Sequence, residues 1–288
     1  MITREARAKL NLYLRVVGRR ADGYHLLDSL IAFCDLADTI AVAPAGELTL
    51  TIDGPLAGAL AGEPPERNLV LRAARALAGR AGVAPKAAIR LTKRIPVAAG
   101  LGGGSADAAA TLLALVDLWR VAMPEDELFD LAASLGADVP MCLAGRTAQV
   151  SGVGERVAPA VALPAAAVLL VNPGAPLPTP AVFAAYARPG AAHSRAAPLE
   201  VAPTDAATLG SSLAARGNDL TDAARAVVPA IADVLRVLSG TKGCRVAQMS
   251  GSGATCFALY DEPDTARAAM IAIRRDHAGW WTHAGTLT

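Results

Sequence analysis

The chain has 288 residues, 53% of them hydrophobic and 18% charged, with 27 basic residues against 26 acidic ones. That length suits one large domain or two ordinary ones, and the low charge with dispersed apolar residues excludes a disordered chain. A net charge of +1 argues against a dedicated nucleic-acid-binding domain, which carries a basic excess.

No apolar run reaches the ~18–20 residues of a membrane helix; the longest, Val161 to Val171, is broken by Pro164. Arg4, Arg7, Lys9 and Arg15 interrupt the N-terminal apolar residues, so a signal peptide is not expected and the reading is cytoplasmic. The four cysteines form no CxxC and the four histidines no HExxH; buried thiols are expected rather than disulfides, and no protein metal site.

From Ala8 to Val17 the pattern alternates, with Leu10, Leu12, Leu14 and Val16 on one side and Lys9, Asn11, Tyr13 and Arg15 on the other. This predicts a half-buried strand with Lys9 and Asn11 on its polar face. A turn follows at Gly18 to Gly23, then strands near Leu27–Phe33, Thr39–Ala43 and Leu48–Ile52. Asn68 suits an N-cap for a helix over 69–80. A strand is expected at 87–94, a long Ala/Leu helix from about Ser105 to Arg120, and another opened by Pro124-Glu125-Asp126-Glu127, whose acids suit the helix dipole. Strands are expected at 146–150 and 167–171, with a seam at Gly152 and Gly154 that divides the chain into 1–152 and 153–288. A Pro-rich turn and short helix follow. Residues 187–202 read as a loop, then helices at 204–216 and 222–238, two strands around Gly251 and Gly253, a helix at 263–276 and a last strand at 280–283. Strands and helices mix without regular βαβ alternation, which favours α+β.

The segment Pro96-Val97-Ala98-Ala99-Gly100-Leu101-Gly102-Gly103-Gly104-Ser105 joins a strand to a helix. Four glycines in five positions let backbone N–H groups close on an anion, and the helix adds its positive end; phosphate is the natural guest. A flexible turn is the alternative. No Gly-Lys-Ser/Thr follows, GxGxxG is not met, and HRD and DFG are absent. Ser239-Gly240-Thr241-Lys242 matches SxxK by chance, without its companion motifs.

Pro96 to Ala106 resembles the glycine loop of the GHMP kinases. Ala8-Lys9-Leu10-Asn11-Leu12, Arg20-Ala21-Asp22-Gly23-Tyr24-His25, Gly136-Ala137-Asp138-Val139-Pro140, Pro178-Thr179-Pro180 and Ser250-Gly251-Ser252-Gly253 are similar, in the same order, to the branch of that family acting on a cytidyl diphosphate alcohol of the non-mevalonate isoprenoid pathway. The resemblance implies a two-domain α+β fold: a ribosomal protein S5 domain 2-like ATP-binding half, 1–152, and a ferredoxin-like substrate-binding half, 153–288. It implies phosphorylation of a tertiary 2-hydroxyl by ATP, used with Mg2+. The expected partner is the small-molecule cytidyl diphosphate, with neither nucleic acid nor membrane, and the chain is expected to work as a monomer or weak homodimer.

The resemblance makes Asp138 the base and Lys9 its partner across a cleft. On residue chemistry alone, Asp138 serves equally as a helix-end cap and Lys9 as a solvated strand charge; an ammonium beside a carboxylate favours the charged form and stabilises a developing alkoxide. Tyr24 and Phe183 are implied to sandwich the cytosine while His25 reads its edge, against ordinary packing. Asn11 and Thr179 match substrate-contacting positions. Asn68 and Lys93 are similar to residues near the adenine, against an N-cap and a surface charge. Ser250–Gly253 is implied to approach the phosphates or the catalytic centre, against a plain hairpin turn. Many relatives carry a second Ser where this chain has Ala106, which removes a hydroxyl from any metal or phosphate contact there. A homoserine- or mevalonate-type kinase, and a non-catalytic nucleotide sensor, remain alternatives.

Overall fold

The computed structural model describes residues 1–187 and 193–288. They pack as two compact units: Met1–Lys9, Leu36–Val97 and Gly102–Arg146 form the first, and Leu10–Asp35, Ala98–Leu101 and Thr147–Thr288 the second. Two long strands, β1 (Ile2–Arg19) and β2 (His25–Ala43), pair as a hairpin around the Arg-rich turn. The strands expected at 27–33 and 39–43 are thus one continuous strand.

In the first unit, β4 (Ala87–Thr92) lies between β3 (Leu48–Asp53), to which it is parallel, and the antiparallel Thr39–Ala43 part of β2. Helix α1 (Leu69–Ala81) buries Val70, Ala73, Ala74, Leu77 and Ala78 at helical spacing. Asn68 caps it by accepting from Val70 N at 2.9 Å, and Gly82 ends it in the left-handed region at φ 66°. Helix α2 (Gly103–Trp119) is alanine-rich and buried throughout residues 106–112, and small side chains let α1 and α2 approach closely over Ile40, Ile89 and Leu91. Helix α3 (Glu125–Leu135) follows, then α4 (Val139–Ala144), a short helix that local pattern does not announce.

The second unit carries the Leu27–Ile31 part of β2 against the hairpin β5 (Ala148–Gly152) and β6 (Arg156–Pro159). Its main sheet has the order β10–β7–β9–β8, all antiparallel, from β7 (Ala167–Asn172), β8 (Val246–Met249), β9 (Cys256–Tyr260) and β10 (Trp281–Thr286). Between β7 and β8 run α5 (Thr179–Tyr186), α6 (Ala206–Ala214), α7 (Thr221–Val227) and α8 (Ala230–Ser239); α9 (Pro263–Asp276) connects β9 to β10. This interleaved order is the ferredoxin-like arrangement.

Two expectations are corrected, and one alternative reading is removed. The half-buried strand is buried on both faces: Lys9, Asn11 and Tyr13 are as covered as Leu10, Leu12 and Leu14, because each polar group has a partner inside. The helix expected over 222–238 is two helices, because Pro229 holds Val228 extended (φ −128°, ψ 89°). Lys93 is not a surface charge. Its ammonium is buried between Asp38 of β2 and Asp107 of α2, the latter at 2.8 Å. Of the loop expected at 187–202, residues 188–192 lie outside the described residues. The remainder is irregular chain, held by Ser194 N to Val16 O (2.9 Å) and Ala197 N to Asp28 Oδ2 (2.6 Å).

The Asp38–Lys93–Asp107 triad pins the first turns of α2 to the sheet. Asp38 also accepts from the backbone N–H groups of Arg94 and Ile95. Burial opposes the charge on Lys93, but the carboxylates of Asp107 and Asp38 outweigh it and raise its pKa. Burial pushes Asp107 up to about 7 against the pull of Lys93, and its Oδ1 finds no hydrogen-bond partner among the described residues. Lys93→Met leaves two buried carboxylates without a counter-charge, so a loss of roughly 3–5 kcal/mol is expected, read as a lower urea midpoint at neutral pH.

Candidate active site

The glycine segment alternates buried anchors with open backbone. Ala99, Leu101 and Ala106 are buried, while Val97, Ala98 and Gly104 are exposed and Pro96, Gly100, Gly102, Gly103 and Ser105 half-buried. Ala98 (φ 53°), Gly100 (φ 74°) and Gly102 (φ 64°) are all left-handed. Gly102 heads α2 with no side-chain cap, so the amides of Gly103, Gly104 and Ser105 have no partner within the helix and suit an anion. Ala106 packs into the first unit's core.

In the first unit this backbone lies directly on the two lysines. A Cβ on Gly102 would stand 3.2 Å from Cβ and 3.3 Å from Cε of Lys9; one on Gly103 would stand 3.2 Å from Nζ of Lys93. Lys9 Nζ donates to Asp138 Oδ2 at 2.9 Å, and the side chains are 6% and 46% exposed respectively. Asp138 stands at the start of α4 and gives its carbonyl to Cys142 N (3.1 Å), yet its side chain caps nothing. It is therefore an open carboxylate on a buried ammonium and not a helix cap. The Cys142 thiol is pushed up to about 12 by burial and by the neighbouring Asp138, and stays protonated. Lys9, Asp138, Gly102, Gly103 and Lys93 thus form one neighbourhood. Asn68 borders it through its α1 cap, whose Leu69 stands 3.6 Å from where a Cβ on Gly104 would be. Both Asn68 and Lys93 have their polar groups engaged within the protein.

In the second unit, Gly100 approaches the turn Ser250–Gly253 so closely that a Cβ would meet Gly253 O at 2.6 Å and Ser250 O at 2.8 Å. Ser250 Oγ donates to Gly100 O (3.2 Å) and accepts from Asn11 N (3.1 Å), while Thr255 N donates to Ala99 O (3.2 Å). Asn11 Nδ2 donates to Ser29 Oγ (2.8 Å), and Thr179 Oγ1 shares a hydrogen bond with Ser252 Oγ (2.8 Å). The turn is therefore a junction joining Asn11, Thr179 and Gly100, more than a plain hairpin. The aromatic residues gather separately. His25 stacks on Phe183 at 5.1 Å and 25°, and meets Tyr186 edge-on at 5.7 Å; Tyr24 is 65% exposed. The face of Phe183 is thus covered by the imidazole. Burial, then the charges of Arg19 and His193, lower the pKa of His25, so the ring is neutral at pH 7. Beyond Tyr186, Arg216, Asn218 and Asp219 line a polar cavity of about 480 Å³.

Pattern reading missed Asp38 and Asp107, whose spacing to Lys93 is set by the fold, and Asn218, whose only signal is a polar pair between Gly217 and apolar Leu220. Among the described residues, no helix is long and apolar enough to cross a membrane, and no group of three His, Cys, Asp or Glu stands together to hold a metal.

Residues 68–146 match the GHMP kinases N terminal domain and residues 199–277 the GHMP kinases C terminal domain. The 4-diphosphocytidyl-2-C-methyl-D-erythritol kinase of Paramagnetospirillum magneticum is 52% identical over 96% of this chain and 95% of its own. That of Rhodospirillum rubrum is 50% identical over 97% and 90%. A crystal structure of 4-(cytidine 5'-diphospho)-2C-methyl-D-erythritol kinase superposes with a TM-score of 0.82 at 40% identity, covering 99% of both chains. The mevalonate kinase of Methanococcus jannaschii, at 12% identity and a TM-score of 0.72, shares the fold.

Gly104 is exposed and a Cβ there meets little. Gly104→Ala should leave the empty protein as stable or up to about 1 kcal/mol more so, yet lower the affinity for a nucleoside triphosphate about tenfold, 1.4 kcal/mol. Calorimetric titration beside a melting curve checks both; unchanged affinity would remove the anion from this helix end.

Proposed function

The chain belongs to the GHMP kinases, and from that premise we propose that it transfers the γ-phosphoryl group of ATP to the 2-hydroxyl of 4-diphosphocytidyl-2-C-methyl-D-erythritol. The products are the 2-phosphate and ADP, within isoprenoid precursor biosynthesis by the non-mevalonate pathway. The observation that carries this reading is the Lys9–Asp138 pair beneath Gly102. Near-half identity to relatives of that activity supports the substrate.

The tertiary hydroxyl is crowded and weakly acidic, so positioning and a poised base carry the chemistry. Asp138 takes the hydroxyl proton as that oxygen attacks the γ-phosphorus and the bond to ADP breaks. The Lys9 ammonium steadies the charge developing on the oxygen. Its burial keeps the ammonium close to Asp138 and clear of bulk water. The free amides of Gly103, Gly104 and Ser105 hold phosphate oxygens, with Pro96–Ala106 as the cradle and Asn68 and Lys93 at its border. Mg2+ neutralises the phosphate charge; Ser105 is the loop's one hydroxyl, a donor set that fits a cation brought by the nucleotide and its waters better than a protein cage.

In the second unit, Asn11 and Thr179 hold the methylerythritol part through the Ser250–Gly253 junction. Phe183, Tyr24 and His25 take the cytosine; the imidazole leaves the face of Phe183 and accepts a hydrogen bond at the edge of the base. Homoserine and mevalonate offer no base to stack on, and a sensor would have no use for an open carboxylate paired with a buried lysine. We place the protein in the cytoplasm, as a monomer or weak homodimer, with 1–152 handling ATP and 153–288 completing the substrate site.

The direct test is ADP release from Mg-ATP with the cytidyl substrate, beside homoserine and mevalonate; turnover with a control alone would overturn the substrate. Asp138→Asn should lower kcat by at least ~10²–10⁴-fold while ATP binding stays within twofold, because the glycine loop is untouched. His25 has a lowered pKa, so KM for the cytidyl substrate should be flat from pH 8 down to its ordinary value near 6.5. It should rise only below that, where protonation removes the acceptor nitrogen; His25→Ala should abolish the rise.

A further inference from the structure

The turn Ser250–Gly253 is held from behind by one side chain. Asn218 lies between α6 and α7. Its two amide hydrogens go to two carbonyls of one segment, Met249 O at 2.7 Å and Gly251 O at 2.8 Å. Its Oδ1 accepts from Leu220 N at 2.9 Å. Both donors are thus engaged on this turn and its carbonyl oxygen on its own backbone.

The residue is itself fixed. Leu14 N donates to Gly217 O (3.1 Å) and Asp219 N to Leu14 O (2.9 Å), while Asp219 Oδ2 accepts from Val16 N (2.7 Å). The backbone around Asn218 is therefore pinned along β1, the strand that also carries Asn11.

Drawing the carbonyls of residues 249 and 251 to one nitrogen shapes the backbone at Ser250, between them. From there Ser250 Oγ reaches Asn11 N and Gly100 O. Gly251 lies against Asn11 as well, with Oδ1 3.0 Å from where a Cβ would be. The local turn into α7 would need only the Oδ1 of Asn218; the paired donation to Met249 and Gly251 has no part in it.

We propose that Asn218 is a positioning residue for phosphoryl transfer, holding the Ser250–Gly253 turn so that Asn11 and the Gly100 end of the phosphate loop keep their relative places. The inference rests on the kinase reading above. Asn218 touches neither the hydroxyl nor the phosphates; it acts through Ser250. A misplacement of about 1 Å at a reacting group costs up to ~10²-fold in rate, so the expected signature is in kcat.

Asn218→Ser keeps an acceptor for Leu220 N and is too short to reach both carbonyls, which separates the local turn from the clamp. It should melt near the wild type and lose at least tenfold in kcat, with KM for ATP and for the cytidyl substrate within about threefold. Ser250→Ala should show the same split. Because both changes break one path, the double variant should lose little more than either alone; residues in one network are non-additive. Activities are normalised to ATP-binding protein, so a poorly folded fraction does not imitate the effect. Wild-type kcat in Asn218→Ser, or losses that multiply in the double variant, would overturn the proposal. A wild-type protein that turns over none of the three substrates would instead defeat the functional reading itself.

Discussion

A lysine ammonium cannot be left buried without a counter-charge, and Lys9 meets that requirement with Asp138. The pair is asymmetric: the cation is inside and the carboxylate half outside. Had Asp138 capped α4 it would have been spent on backbone amides. Because it does not, one oxygen serves Lys9 while the carboxylate still faces the solution. The bare backbone of Gly102 rests on the lysine stem, so the lysine, the carboxylate and the head of α2 constrain one another. The neighbouring triad of Asp38, Lys93 and Asp107 solves the same electrostatic problem differently. There all three side chains are buried, and the arrangement holds α2 in place without presenting a reactive group.

Much of this was legible in the chain. Asn68, Gly82 and the apolar spacing between them define α1, and the glycine run marks the head of α2 because few other residues tolerate such approach. What was not legible followed from partners distant in sequence. The alternation of β1 predicts one wet and one dry face, but Lys9, Asn11 and Tyr13 are buried with their polar ends satisfied by Asp138, Ser29 and Asp28. Hydropathy cannot see a hydrogen bond made across the fold. For the same reason the chain does not show that Lys93 is buried between two carboxylates. Pro229 was visible and its effect on Val228 is local, so the division of α7 from α8 was available from the chain. Helix α4 is too short for a periodic signal.

The second unit is held together around Ser250–Gly253 by backbone contact as much as by side chains. Ser250–Gly253 meets Gly100 main chain to main chain, which only residues without a Cβ permit. Asn11 and Thr179 reach the same turn from β1 and α5. The aromatic group of His25, Phe183 and Tyr186 stands on a different footing: its members touch through ring faces and edges, which resist displacement less than a hydrogen-bonded turn. The unit thus combines a rigid hydrogen-bonded turn with a softer aromatic group.

The order β10–β7–β9–β8 also bears on how the chain reaches this state. Strand β7 is buried along its whole length, and its partners on β9 lie 85 to 93 positions further along. Pairing of that kind is slow, because loop-closure entropy precedes any reward. During synthesis, β7 emerges long before the strands that cover it, as an apolar segment with two unsatisfied edges. The helices α5 to α8 are made in that interval and are local enough to form early, so they are the first available shelter for it. Aggregation during expression is thus governed by the gap between the synthesis of β7 and that of β9, and slower translation across α8 would lengthen the exposure.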